Sequence, residues 1–133
     1  GINNIQPIWA DSFLKSISNA KMGVNLSRGN PIKYYSSDRI TQLIGNGLLT
    51  FIHKDTHYNN FFNKNEVIFY SAIDDLSEKI QKYARDDNQR KKIAQKGKDK
   101  YMKFFNSTLV ADYIIKSTFQ IPYQKNKFMW EEK

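Results

Sequence analysis

Residues 48–52, Leu-Leu-Thr-Phe-Ile, form an almost wholly apolar run with Gly47 before it and His53-Lys54-Asp55 after it. A bounded run this short reads as a buried strand of a parallel sheet, because parallel strands are covered on both faces. The neighbouring segments supply the covering helices. Residues 7–20 place Ile8, Trp9, Phe13, Leu14 and Ile17 near helical spacing, with Pro7 suited to an early helical position. In residues 22–27, Met22, Val24 and Leu26 alternate as in a strand. A second helix is predicted from Ser37 or Asp38 to about Asn46, with Ile40, Leu43 and Ile44 inward and Gly47 as the glycine that ends it. Residues 57–62 fit one or two helical turns, and residues 67–70 a third strand.

The remainder is helical in pattern. Ile73, Leu76, Ile80 and Tyr83 share one face, with Asp74 and Asp75 where a helix start favours acids. Asp87 or Asn88 is the expected cap of the next helix, lined by Ile93, Gly97, Tyr101 and Phe104. Asn106 or Ser107 caps a last one, with Val110, Tyr113, Ile114 and Phe119 inward. Strands alternating with helices predict an α/β, Rossmann-like three-layer domain with a small parallel sheet and additional C-terminal helices. The domain is expected over residues 1–121, with residues 122–133 a tail that is loose or docks elsewhere. A chain of 133 residues suits one such domain.

Without cysteine, disulfides and thiolate metal sites are excluded. No apolar run approaches the ~20 residues that cross a bilayer. Gly1-Ile2-Asn3-Asn4 lacks the features of a signal peptide, so a cytoplasmic location is expected. A net charge of +8 favours anionic partners without choosing among them.

Open α/β sheets bind ligands at the carboxyl ends of their strands. Two loops lie there. The first, residues 27–37, holds Ser27, Arg28, Gly29, Lys33, Tyr34, Tyr35, Ser36 and Ser37, and leads into Arg39. It ends at a helix start, where free N–H groups and the helix dipole attract phosphate. Arg28, Lys33 and Arg39 would add charge-assisted bonds, and Tyr34 or Tyr35 would stack on a base or sugar. The alternative is a solvated loop whose serines cap the helix; no Walker or G-x-G-x-x-G pattern is present. The second loop carries His53 and His57 at metal-ligand spacing, but no third ligand is evident, and a loop histidine is the ordinary reading. Asp74/Asp75 and Asp86/Asp87 read as helix caps. Residues 90–103 carry seven cations against Asp99, either a solvated helix face or a contact for anionic lipid headgroups or an acidic partner domain. Aromatic residues are not interleaved there as a stacking array, which disfavours nucleic acid.

Residues 20–119 resemble the carboxy-terminal domain of group 1 glycosyltransferases of the GT-B fold, in the subset that includes CgeB-like proteins. Four motifs carry the resemblance in order: Asn25-Leu26-Ser27-Arg28; the helix from Arg39 through Gln42 to Gly45 and Gly47; Val67 to Ile80 with Tyr70 and Leu76; and Arg90, Ile93, Ala94 and Gly97. The resemblance implies one half of a GT-B enzyme, gripping a nucleoside-diphosphate sugar while an absent amino-terminal half binds the acceptor and supplies the general base. It implies a role in bacterial surface glycan synthesis, no metal and no cofactor beyond the donor substrate. Catalytic residues are not identifiable in this half. The implied donor site comprises Ser27, Arg28, Lys33, Tyr35, Ser36, Ser37, Arg39 and Gln42. Gln42 stands where such proteins carry an acid toward the ribose or sugar, and Thr41 where they carry an aromatic. A peripheral contact with the inner membrane face is a second expectation. The competing readings are a non-enzymatic basic module for nucleic acid or an anionic membrane, and a degenerate domain kept for assembly.

Overall fold

A computed structural model describes residues 8–27, 29–35, 37–124 and 127–131. The apolar run becomes the central strand. β1 (Met22–Asn25), β2 (Leu49–His53) and β3 (Ile68–Tyr70) form a parallel sheet in the order β1-β2-β3. Around it lie α1 (Ala10–Asn19), α2 (Asp38–Gly45), α3 (Ile73–Arg85), α4 (Asp87–Phe104) and α5 (Ser107–Thr118). Two short 3-10 turns, Lys54–Thr56 and Tyr58–Asn60, replace a helical crossover between β2 and β3. The architecture is an open, Rossmann-like α/β domain.

Strand pleating sorts the core into two layers. Successive side chains leave opposite faces, so Leu49 and Phe51 pack with Ile68, Tyr70, Leu76 and Tyr83 on the α3 side. Ile52 packs with Ile40, Ile44, Phe61, Phe62 and Val67 on the α2 side. Gly47 takes φ +76° just after α2, as a helix-ending glycine should.

α4 contributes to both layers because it crosses the amino edge of the sheet. Its buried residues are Arg90, Ile93, Ala94 and Gly97. Arg90 Nη1 donates to the Lys21 carbonyl, just before β1, at 3.2 Å. The Lys98 stem lies beside Gly47, just before β2. Gly97 lies against the Glu66 backbone, just before β3, and Lys100 Nζ bonds Glu66 Oε2 at 2.8 Å. Farther along, Tyr101 and Phe105 join the α2-side layer. One end of the sheet is therefore closed, leaving the carboxyl end for a ligand.

Several expectations need correction. α1 begins at Ala10; Pro7 falls outside the described residues. None of its residues is buried, and Trp9 and Leu14 stand exposed although the apolar stripe is present. On α5, Val110, Ile114 and Phe119 are exposed, while Tyr113 turns to Phe128 and Trp130, with ring centroids at 5.0 and 5.9 Å. Residues 127–131 of the tail dock on their own domain: Phe128 is 1% exposed, and Lys127 Nζ pairs with Asp112 Oδ2 at 2.7 Å. Asp86, not Asp87 or Asn88, caps α4 by accepting from the Gln89 N–H at 2.9 Å.

Three of the four paired acids, Asp75, Asp86 and Asp87, make structural contacts. Asp75 Oδ2 accepts from Lys79 Nζ at 2.8 Å and from the Ser71 N–H at 2.9 Å; Asp87 Oδ1 accepts from Arg90 Nη2 at 3.1 Å. The Lys79 bond, then the Ser71 N–H, holds the Asp75 carboxyl below the usual carboxylate range, and the Arg90 bond does the same for Asp87. A depressed native pKa contributes stability above the unfolded value, and that contribution is lost as pH falls through the native value. Thermal melts should therefore show a Tm that declines below about pH 4. Asp75→Asn and Asp87→Asn together should flatten that decline; an unchanged acid limb would refute the assignment.

Candidate functional site

β1 ends at Asn25, and the chain then leaves the carboxyl edge of the sheet and returns at α2. Two contacts fasten the return. Arg39 Nη1 donates to the Leu26 carbonyl at 2.7 Å, and Ser37 Oγ donates to Asn25 Oδ1 at 3.4 Å. Ser37 is the N-cap residue of α2 in extended conformation, yet its side chain caps none of the helix N–H groups. Its hydroxyl is diverted to Asn25, which leaves the helix start without a side-chain cap among the described residues.

Of the expected donor-site residues, Ser37 and Arg39 are tied to the end of β1, and Ser27 lies two residues beyond that end in the chain. Gln42 lies three residues beyond Arg39 on α2, a spacing that makes the two neighbours on the helix surface. Lys33 is exposed and places Nζ over the Tyr34 ring, 4.9 Å from its centroid. Tyr35 is half-buried, its N–H bonded to the Ile32 carbonyl at 3.1 Å. Arg28 and Ser36 lie outside the described residues.

Tyr34 is committed to the protein. It adopts φ +57°, a left-handed conformation costly for a bulky residue. Its N–H donates to the Thr56 carbonyl at 2.9 Å, its ring packs on Phe61 at 5.2 Å, and its hydroxyl accepts from Asn60 Nδ2 at 2.6 Å. With Ile40, Phe61, Phe62, Tyr101 and Trp130 it lines an apolar cavity of about 340 Å³ beside the first turn of α2. That volume is at the lower end of small-molecule pockets. Thr41 and Tyr101, whose oxygens share a hydrogen bond at 2.9 Å, bring polar groups to the same neighbourhood.

The second loop is a clasp. Pleating puts His53, paired in register with Tyr70, on the α3 side of the sheet, away from α2. Nδ1 accepts from the Asp55 N–H at 3.3 Å, so the proton sits on Nε2, which donates to the Ser71 carbonyl at 3.0 Å. The ring therefore ties the ends of β2 and β3 together. His57 is exposed with φ +57°. Among the described residues, no group of three or more His, Cys, Asp or Glu side chains is placed to hold a metal.

The cationic stretch of α4 divides in two. Arg90 is 5% exposed, and Lys100 turns to Glu66, while Lys91, Lys92, Lys96 and Lys103 face outward. No described helix is long and apolar enough to cross a membrane.

Asn25, the first residue of the Asn25-Leu26-Ser27-Arg28 motif, joins the expected donor-site residues at this edge. It is 1% exposed, and its Nδ2 has no hydrogen-bond partner among the described residues. The available signal was a carboxamide ending a short strand whose other face carries Met22 and Val24.

Comparison with known proteins gives one positive finding. Residues 1–116 match the family model described as "Glycosyl transferase-like". No curated protein and no solved structure matches the chain.

Proposed function

The chain belongs to the glycosyl transferase-like family, and from that premise we propose that its carboxyl-edge site grips the diphosphate of a nucleoside-diphosphate sugar. The observation that carries this reading is the start of α2, left without a side-chain cap among the described residues and opening beside the carboxyl end of β1. A helix start concentrates unpaired N–H groups and a partial positive charge, which suit a phosphate. Arg39, braced on the Leu26 carbonyl, stands beside it, and Lys33 lies in the preceding loop. Asp38, exposed at the first helical position, opposes an incoming anion, and these two cations outnumber it. The neighbouring aromatic cavity suits a ring carried on the same diphosphate.

In transfer, the bond between the sugar and the diphosphate breaks and negative charge grows on the leaving group. Fixed donors and cations aimed at that charge stabilise the transition state without a metal. The acceptor and the general base come from a second, amino-terminal half, so this chain alone should bind donor but transfer slowly. Gln42 would offer an uncharged hydrogen bond to a ribose or sugar hydroxyl. The resemblance alone supports the further reading that the product is a bacterial surface glycan.

An amide chemical-shift titration with UDP, GDP, ADP and CMP tests this function. The expected result is a set of shifts confined to residues 25–42 and the cavity for one base. Absence of shifts at millimolar concentration for every nucleotide would overturn it. The basic-module alternative makes the opposite prediction: salt-dependent binding to duplex or anionic vesicles, abolished by charge reversal at Lys91, Lys92 and Lys96.

A further inference from the structure

We infer that the buried carboxamide of Asn25 is itself a ligand contact, donating from Nδ2 to a phosphoryl oxygen held at the start of α2; this rests on the diphosphate reading above. The argument begins with hydrogen-bond satisfaction. Asn25 is 1% exposed and carries two N–H donors on Nδ2 that meet no partner among the described residues. Among the described residues its Oδ1 receives only the long 3.4 Å bond from Ser37 Oγ. Folded proteins retain few buried polar groups in this condition.

The position of the orphan group gives its purpose. Asn25 is the last residue of β1 and faces the α2 side, paired in register with apolar Ile52. Its amide touches the N-cap residue of α2, and that N-cap hydroxyl is turned to the amide and not to the helix N–H groups. Two sets of donors thus converge on one place: the first N–H groups of α2 and Nδ2 of Asn25. A phosphoryl oxygen only accepts hydrogen bonds, and its charge strengthens each one. A neutral amide also suits an empty site better than a buried lysine, because it carries no charge to desolvate.

The test compares the full chain with Asn25→Asp and Asn25→Leu, measuring inorganic pyrophosphate and the four nucleotides by calorimetry and stability by urea unfolding. Asn25→Asp replaces donors by a charged acceptor of the same shape; Asn25→Leu removes the polar group at similar volume. Affinity should fall at least tenfold in both, while the urea midpoint of Asn25→Leu holds or rises, since the orphan donor has gone. Lowering pH should restore part of the Asn25→Asp affinity, because a protonated carboxyl can donate. Affinities within twofold of the parent in both variants would overturn the assignment while leaving the site intact. No binding by the parent chain would overturn the diphosphate reading, and this inference with it. Should both variants fail to fold, the side-chain amide signal of Asn25 in the parent protein decides: movement on adding pyrophosphate supports the contact, and an unmoved signal alongside shifting α2 amides refutes it.

Discussion

Gly97→Ala is expected to lower the unfolding free energy by about 2–3 kcal/mol, the cost of overpacking against atoms that cannot move aside. The sign is instructive, because in an isolated helix the same change gains up to about 1 kcal/mol. Here a methyl group on Gly97 would fall on the Glu66 carbonyl oxygen, well inside van der Waals contact, with the Glu66 carbonyl carbon at 3.2 Å. Both obstacles are backbone, held by the turn that starts β3 and by the Lys100–Glu66 ion pair. α4 would have to lift from the sheet edge, loosening Ile93 and Ala94 with it. Gly45→Ala is the matched control: nothing lies within 4 Å of the added carbon, and the substitution should stabilise α2 by about 0.5–1 kcal/mol. Urea unfolding of the two variants should move in opposite directions. A neutral Gly97→Ala would show that α4 does not sit as described.

Arg90→Ala should be nearly as damaging, lowering stability by about 2–3 kcal/mol through the loss of charge-assisted hydrogen bonds and a buried stem. Arg90 is 5% exposed and divides its guanidinium between the Lys21 carbonyl at 3.2 Å and Asp87 Oδ1, which it meets from Nε at 3.2 Å and Nη2 at 3.1 Å. Removing it leaves the Lys21 carbonyl and the start of β1 without their tie to α4. Arg90→Lys should recover little, since a point ammonium cannot reproduce a planar fork that reaches two partners. Equal stability for Arg90→Lys and the parent, measured in urea, would show that only the charge matters.

These two residues show which parts of the structure were legible in the sequence. The central strand was plain because its signal is local: an apolar run closed by Gly47 and polar residues. The caps at Asp86 and Asn106 and the turn at Gly47 were legible to within a residue for the same reason. Arg90, counted from the sequence as one cation of an exposed helix face, is buried because its partner carbonyl lies 69 residues away. No window along the chain contains that distance. The apolar stripes of α1 and α5 were real, but periodicity says that a face is apolar and not what lies over it. Nothing described covers Trp9, Leu14 or Phe119.

The candidate site divides the same way. Its place at the carboxyl edge followed from the order of strands and helices, and Ser37 and Arg39 are drawn together there. Tyr34 was open to stacking on a ligand by sequence, yet its ring is held against Phe61, so it serves as a wall. His53 was assigned to a solvated loop, and strand pleating turns it into the α3 layer as a clasp on Ser71. Asn25 opens the first of the four resemblance motifs, yet it was not among the expected donor-site residues, because a motif marks a position and not whether its side chain is satisfied. Its meaning appears only when burial and missing partners are known together.

The bar that α4 forms across the amino edge also bears on how the chain reaches its native state. β1, β2 and β3 are all synthesised before Arg90, so a growing chain that stops short of it holds every strand and lacks the helix that closes the underside. Joining Lys21 to Arg90 closes a loop of 69 residues, whose entropic cost grows only slowly with length. The burden falls on rate, because pairings so distant in sequence form late and expose apolar surface while they wait. The domain should accordingly commit to its fold in one step after residue 100 has emerged, with the sheet and the helix beneath it becoming protected from hydrogen exchange together.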